Sequence, residues 1–587
     1  MVRTAKSAPY LGNVGSFISN SSFLTGRSHP IMRHSMLGSF DHVWIDNLNG
    51  DKYRTGKIIP SGLPGAGTRD DSVFSTAADP RGIQPGTAVA TWLKLMGHRT
   101  STSTTDVQYR DFWGPAARKR DELLSDVGAA SATPPPYETV HPTRDTRWRL
   151  APRVIEGGFE AWPALDELFP VSFQGVNHNR GVEGTVIDGN AAALGSRMKE
   201  YIEASTFADA TTINPLLAPA DIEGKSAISG YDPEAVWNDL HASGYQQDKV
   251  KPFLAFPLDA RSIYYETGTK LLNRPRPEFG MNLASNEFLL TVPEPRKETE
   301  TRPLFSTILA NLHVHERGSV VFPRETKGDD LLADRDANLA ESAWRAISAA
   351  YGLTGVRRDQ AARDLVGKLF RVVFAVLYAP AYQAEHKSAL SSDWAHVPIP
   401  RDKSLFERIV AAGTKVTRLL DTCDDVTDLV DDILGAETAR TLGPLKRADG
   451  NQVRPTDLKV TVTYWGGGKG RWTPRSPTSA ETPSDAIAAS WGDVTGDLFI
   501  NDDAFFANVP EAVWGYQLGG YPVLKKWLGY RQANRIGDRP LTDADRRWFR
   551  SMIQRIAALL ALGATLDELY QECIADAFTA GDLAIQR

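Results

Sequence analysis

Several stretches carry residue types that could do metal or phosphate chemistry. Gly466 to Gly470 (GGGKG) has the glycine content of a phosphate loop. Arg471 follows directly, with no Ser/Thr for magnesium and no helix pattern after it, so the stretch reads as a hairpin turn. Leu312 to Glu316 (LHVHE) offers His313, His315 and Glu316 on what reads as a strand, with no third ligand near in sequence to complete a metal set. Glu325 and Lys327 form the Glu-x-Lys half of a metal-dependent nuclease motif, without the Asp on a preceding strand that would supply a second carboxylate. Val43 to Gly50 (VWIDNLNG) superficially resembles a strand with an acidic cap for a cofactor ribose. A loop follows it where a helix N-terminus would be needed, so it is expected as an inner strand of a sheet. No Gly-x-Gly loop follows any earlier strand, and these patterns point to no metal site and no catalytic residue in the chain.

Basic and aromatic residues occur together in a more informative way. Asp259 to Gly280 (DARSIYYETGTKLLNRPRPEFG) places Arg261, Tyr264, Tyr265, Lys270, Arg274 and Arg276 in a stretch whose prolines keep it out of helix. Such residues can neutralise phosphates while tyrosines stack or hydrogen-bond. Lys469, Arg471, Trp472 and Arg475 follow one another without an intervening acid. Lys525 to Arg550 holds Lys525, Lys526, Arg531, Arg535, Arg539, Arg546, Arg547 and Arg550 against three aspartates. A solvated face is the competing reading of any one of these clusters.

The elements that must position these groups follow from length and patterning. At about 100–200 residues per domain, 587 residues allow roughly three to five domains. With 42% hydrophobic and 24% charged residues, disorder, collagen and coiled coil are excluded for the whole chain. The net charge of −6 excludes a global basic field, so a nucleic-acid partner must be held by local patches. Two distant cysteines, Cys423 and Cys573, provide neither a disulfide framework nor a cysteine zinc site and fit a reducing, cytoplasmic setting. No apolar run reaches the roughly 18 residues of a membrane helix, and the N-terminus lacks the apolar core of a signal peptide.

Along the chain, strands are expected at Val14 to Ile18, His42 to Leu48, Ser72 to Phe74 and Thr87 to Leu95. A helix after Asn20 would carry Met32, Met36 and Leu37 inward, and Asn49 to Asp71 reads as a Gly/Pro-rich loop. Linkers are placed at Arg99 to Thr104 and Ala129 to Pro136. A mixed region with strand-like FLAFPLD and FLLTVP precedes helices from Asn338 to Leu434, where Leu365, Leu369, Val372, Val373, Val376 and Leu377 form an apolar stripe. A hairpin signal at Tyr464 to Trp472 precedes a terminal helix with Phe549, Met552, Ile553, Ile556, Leu559 and Leu560 on its buried face. The divisions drawn are 1–100, 101–150, 151–335, 336–435 and 436–587.

Read in order, several blocks carry a family resemblance. They are GNVGSFISNSSFLTGRSHPIMRHSMLGSFDHVWIDNLNG, DDSVF with GIQPGTAVATWLKL, VQYRDFWGPAARKRDELL, WPALDELFPVSFQGV and PLDARSIYYETGTKLLNRPRPEF. LFRVVFAVLYAPAYQAEHKSALSSDWAHVPIP and VWGYQLGGYPVLKKWLGYRQ follow. The chain resembles the C-terminal half of the single-polypeptide, adenine-specific DNA methyltransferases of the type ISP restriction-modification group. A departure occurs after GVNHNR, where the family tends to carry an acid and Gly181 stands here.

That resemblance implies an α/β plus α+β fold. A partial Rossmann-like methyltransferase sheet would lead into a mixed target-recognition region and a helical C-terminal part. It implies double-stranded DNA as partner, held by Arg261, Tyr264, Tyr265, Lys270, Arg274, Arg276, Lys469, Arg471, Trp472, Lys525, Lys526 and Arg531. Phe74 is a weak candidate for the pocket of a flipped base. Methyl transfer from S-adenosylmethionine needs a Gly-rich cofactor loop and an Asn/Asp-Pro-Pro-Tyr/Phe loop. Neither is present, and the only Pro-Pro, in Thr133 to Glu138, follows a linker where a buried strand would be needed. Family order puts both loops upstream of Gly12, so the chain is expected to begin just past them. It would then reach cofactor only through an upstream methyltransferase polypeptide, with a helicase-nuclease as a further partner, and would be poorly soluble alone. The alternative is a non-enzymatic DNA-binding or scaffold subunit of a defence complex.

Overall fold

The computed structural model describes residues 12–585 apart from 27, 61, 96–104, 129–135, 145, 153–157, 182, 218–227, 294–301, 316–317, 328–334, 357–358, 391–392, 465–467 and 535–537. The expected linkers therefore lie outside the described residues save for Pro136, as do Glu316, Gly466, Gly467 and Arg535.

Short apolar runs near the N-terminus build a five-stranded sheet. Its strands are β1 (Asn13–Asn20), β2 (His42–Asn47), β3 (Thr87–Lys94), β4 (Asp106–Asp111) and β5 (Glu138–Val140), in the order β1-β3-β2-β4-β5. β3 is antiparallel to both β1 and β2, β4 runs parallel to β2, and β5 closes the far edge antiparallel. VWIDN is thus an inner strand, as its unbroken apolar start predicts. Val43 and Ile45 of β2 join Ala88, Ala90 and Trp92 of β3 in a small core.

Two expectations fail here for local reasons. The single helix after Asn20 is two, Ser22–Thr25 and Pro30–Ser39, because Gly26 ends the first and Pro30 can only sit at the start of the second. Met36 and Leu37 reach the core, but Met32 is exposed and the buried position goes to Arg33. Ser72 to Phe74 forms a turn closed by Ser75 N–H on the Ser72 carbonyl, not a strand. Its neighbour Asp70 pins that loop by accepting from Gly50 N at 2.6 Å, Gly114 N at 2.9 Å and Lys119 Nζ at 2.6 Å.

Residues from Phe159 to Leu583 share one continuous hydrophobic core. Two four-stranded sheets occupy its first part. One joins Phe288–Thr291 to Leu304–Ser306 and Val320–Pro323, with Phe173–Gln174 at its edge. The other joins Val250–Phe256 to Asp259–Tyr264 and Leu309–Ala310, with Ile187–Asp188 outside. The FLAFPLD and FLLTVP runs supply the inner strands of these sheets. The stripe in Gln360–Tyr378 is buried as its three-and-four spacing predicts, with the helix packed on Lys403–Leu420. LHVH is a 3-10 turn, Leu312–Val314, because the Asn311 side chain caps it by accepting from His313 N at 3.2 Å. The C-terminal sheet joins Leu445–Arg447, Ala504–Pro510, Thr495–Phe499 and Trp472–Arg475 in that order. Residues 465–467 of the expected Gly-rich turn lie outside the described residues; Gly470 N–H donates to the Thr463 carbonyl, and the strand that follows pairs with Thr495–Phe499 further along the chain.

Helices Asp543–Ala561 and Gly563–Ala575 complete the body, with Phe549, Met552, Ile553, Ile556 and Leu559 buried. No single helix among the described residues is long and apolar enough to cross a membrane.

Candidate nucleic-acid interface

Two of the three basic clusters of the sequence, 259–280 and 525–550, converge, but on an internal structure. The Asp259–Tyr264 strand alternates, so Asp259 and Arg261 lie on one face, and Arg261 Nη2 donates to Asp259 at 3.0 Å. Arg531, at the end of helix Val523–Tyr530, donates to the other Asp259 oxygen at 2.9 Å and to Asp545 at 3.1 Å. Arg539 bridges Asp545 at 3.2 Å and Glu183 at 3.4 Å, and Glu183 returns to Arg261 at 3.3 Å. Three guanidiniums and three carboxylates thereby close a neutral ring that ties the middle of the chain to its C-terminal part. Burial would raise the Asp259 carboxyl, yet Arg261 and Arg531 outweigh it and hold it below its ordinary value.

These contacts correct part of the expected footprint. Arg261 and Arg531 are buried with their donors spent on carboxylates, so their geometry is that of clamps and not of phosphate contacts. Tyr264 is wholly buried, and Tyr265 donates its hydroxyl to the Arg276 carbonyl at 2.6 Å. Trp472 is half-buried with its indole N–H on the Val509 carbonyl at 3.0 Å. Arg475 is held by Glu481 and Asp497.

The rest of the candidate set reaches solvent. Lys270 and Arg274 are exposed and Arg276 is half-buried beside Gln174. This strip is anchored where Arg274 bridges Asn177 of the GVNHNR loop. Within that loop, burial and then the charges of His313, Arg180 and Arg261 push the His178 imidazole down to about 3. His178 is therefore neutral, and its Nδ1 accepts from Arg180 N at 3.1 Å. Lys469 is exposed, and Arg471 lies 4.1 Å over the Phe499 ring with Asp502 at 3.1 Å. Lys525 and Lys526 are half-buried; Lys526 Nζ sits 5.0 Å from the Tyr521 ring and 5.2 Å from that of Tyr530. Tyr530 also receives Arg261 at 5.7 Å, which seats the 525–531 helix end beside the ring of charges.

Glu325 is buried and paired with Arg324 at 2.6 Å, and no cluster of potential metal ligands occurs among the described residues. Sequence reading missed Glu183, Asp259 and Asp545 as partners; the one available signal was the Asp-x-Arg alternation at 259–261.

Residues 167–559 match the Type ISP C-terminal specificity domain family. The chain belongs to this family. The matched span of the specificity domain holds the whole charge ring and every candidate DNA-contacting residue, and leaves Phe74 and the N-terminal sheet outside. No curated protein matches the chain. In fold it is similar to the DrdV protein of a cryo-EM DNA complex, with TM-score 0.54 and 17% identity over 95% of this chain and 50% of that one. It is similar to the ATP-dependent Type ISP restriction-modification enzyme LlaBIII bound to DNA, with TM-score 0.54, 13% identity and 95% and 33% coverage. A nuclease-deletion mutant of the Type ISP enzyme LlaGI with a DNA substrate mimic gives TM-score 0.51, 15% identity and 95% and 39% coverage. The specificity-domain chain thus spans between a third and a half of these solved structures.

Proposed function

We propose that this chain recognises the DNA target of a Type ISP restriction-modification system. The observation that carries this reading is the specificity-domain match, which encloses all the basic segments. Lys270, Arg274, Arg276, Lys469, Arg471, Lys525 and Lys526 would contact phosphates, with Arg261, Arg531, Tyr264, Tyr265 and Trp472 fixing the surfaces that carry them. Double-stranded DNA is the partner; the solved enzymes of similar fold are DNA complexes.

The N-terminal sheet is read as part of a Rossmann-like methyltransferase sheet. β1 and β2 run parallel to each other, joined by a helical crossover, with antiparallel β3 inserted between them. In this reading an upstream methyltransferase segment supplies the Gly-rich and Asn-Pro-Pro-Tyr/Phe loops and binds S-adenosylmethionine, which this chain would not bind alone. A helicase-nuclease segment is a further partner. Phe74, 41% exposed in the loop between β2 and β3, would be the residue that touches a flipped base in this reading.

The test is duplex affinity against salt, read by fluorescence anisotropy. Reversing the charge of Lys270, Arg274 and Arg276 together should weaken binding and lower the salt slope by about one for each phosphate no longer neutralised. An unchanged slope removes that strip from the footprint. Methyl transfer from labelled S-adenosylmethionine should require the upstream segment; transfer by the chain alone would overturn the division of labour.

A further inference from the structure

Arginines of the basic segments meet two kinds of acceptor. Arg261, Arg475 and Arg531 donate to carboxylates, whereas Arg276 Nη2 donates to the side-chain oxygen of Gln174. An amide held by a guanidinium differs from a neutralised charge, because it still carries both a donor and an acceptor.

Both partners are fixed by their backbones. Gln174 ends the Phe173–Gln174 strand, which pairs with Val320 and Val321. The Phe173 ring points inward, 5.1 Å from that of Phe279 and 6.4 Å from that of Phe288, so the alternation of a strand sends Gln174 outward, where it is exposed. The next residue, Gly175, packs so closely that a Cβ there would lie 2.7 Å from Leu312 N, and its own N–H donates to the Ser319 carbonyl at 3.1 Å. Arg276 sits between Pro275 and Pro277 with φ +59°, and its carbonyl accepts from the Tyr265 hydroxyl at 2.6 Å. Asn177 and Arg274 tie the two segments together by a pair of backbone hydrogen bonds, at 3.0 and 2.8 Å.

The orientation of the amide follows. A guanidinium only donates, so the Gln174 atom that faces it is the oxygen. Oε1 keeps a second lone pair beside the Nε2 donor, on an exposed strand end. That donor–acceptor order matches adenine in the major groove, whose N7 accepts and whose N6 donates. Guanine offers two acceptors there and would set its O6 against Oε1.

On the target-recognition reading given above, we propose that Gln174 reads an adenine edge in the major groove and that Arg276 is its positioning residue. Arg276 holds the amide in that order, while its remaining donors and Arg274 take the flanking phosphates. Base readout thus falls to an uncharged neighbour of the basic strip.

The test lets the full chain select from a pool of duplexes with a randomised centre; the enriched duplex and its single-base variants are then titrated by fluorescence anisotropy. Wild type should enrich a motif with an A·T pair at which Gln174→Ala loses about ten-fold of the preference over G·C, with other positions and the salt slope unchanged. Gln174→Glu leaves only acceptors, so the preference at that pair should move to cytosine, whose N4 donates. Arg276→Met should lose preference at the same pair and lower the salt slope by about one, whereas Arg274→Met should lower the slope alone. A merely structural Arg276 would not single out that pair. Enrichment of the same motif by Gln174→Ala overturns the assignment and leaves the target-recognition reading standing. An Arg276→Met motif unchanged at that pair overturns the positioning role. No enrichment by wild type overturns the target-recognition reading, and the assignment with it.

Discussion

The N-terminal sheet and the body from Phe159 onward are each held by buried charge, but at very different reach. In the first, Lys119 is wholly buried and uses all three of its protons locally, on Asp70 at 2.6 Å and on the carbonyls of Leu48 and Asp71 at 2.7 Å. The pair staples one loop to the start of the following helix. In the body, the ring of Glu183, Arg261, Asp259, Arg531, Asp545 and Arg539 joins segments far apart in sequence across a shared core. The sheet's own core is a small cluster, whereas the body's is continuous. The difference teaches that polar locking sets a local loop in one region and long-range docking in the other, so damage should spread differently.

The strongest test of that contrast is Asp259→Asn. It leaves Arg261 and Arg531 buried on a neutral amide, and the loss should be about 3–5 kcal/mol of the stability of the whole body, read by urea unfolding. Replacing Asp259, Arg261 and Arg531 together by apolar residues of similar size should recover much of it. A loss under about 1 kcal/mol for the single change would mean that the ring is not a clamp. Asp70→Asn should cost somewhat less, about 3 kcal/mol, by unpairing Lys119. Its effect should appear as faster amide exchange at Gly50 and Gly114, with the midpoint of the body unmoved. A matching shift in the body would make the two regions one cooperative unit.

What the sequence reveals divides along the same line. The Gln360–Tyr378 and Asp543–Ala561 helices and the β2 strand are legible, because periodicity is local and their faces bury as it dictates. Local punctuation also accounts for the departure near the N-terminus, where Gly26 and Pro30 break a helix. The ring is not legible in this way. Counting charge over Lys525 to Arg550 leaves Arg531 as surplus, because the carboxylate that accepts most of its guanidinium, Asp259, belongs to the other basic segment. Arg261 is surplus only until Glu183 is brought beside it. A surplus cation on a surface and half of a buried pair look alike in composition; only tertiary pairing separates them.

Asp545 gives a smaller effect with a defined pH window. Burial would raise its carboxyl, but Arg531, Thr542 and Arg539 reverse this and hold it at about 2 against an ordinary value of 3.8. A depressed carboxyl contributes stability that is complete above its unfolded value and lost as pH falls through the folded one. The ring should therefore weaken between about pH 4 and pH 2 by roughly 2 kcal/mol. Asp545→Asn should lose a similar amount at neutral pH and flatten this part of the acid limb, read as urea midpoints at several pH values. An equally steep limb in the variant would assign the acid sensitivity to other carboxylates.

The smallest expected change in stability belongs to the edge of the N-terminal sheet. β1 is eight residues long (NVGSFISN), carries no charge and no proline, and among the described residues pairs in unbroken register on its β3 side only. Edge strands that must stay unpaired are guarded by lysines, prolines or bulges. β1 has none of these, and Ile18 is 47% exposed on it. Phe17, its neighbour on the opposite face, stacks on Trp92, so the core contact belongs to that side of the strand. Ile18→Lys should then leave the stability within about 0.5 kcal/mol of wild type while reducing self-association in sedimentation velocity. It should also weaken pairing with an upstream methyltransferase segment if that segment extends the sheet at β1. Unchanged self-association would show that the β1 edge is not where strands add, and a large loss of stability would show that Ile18 serves the sheet's own core, narrowing the contrast between the two regions.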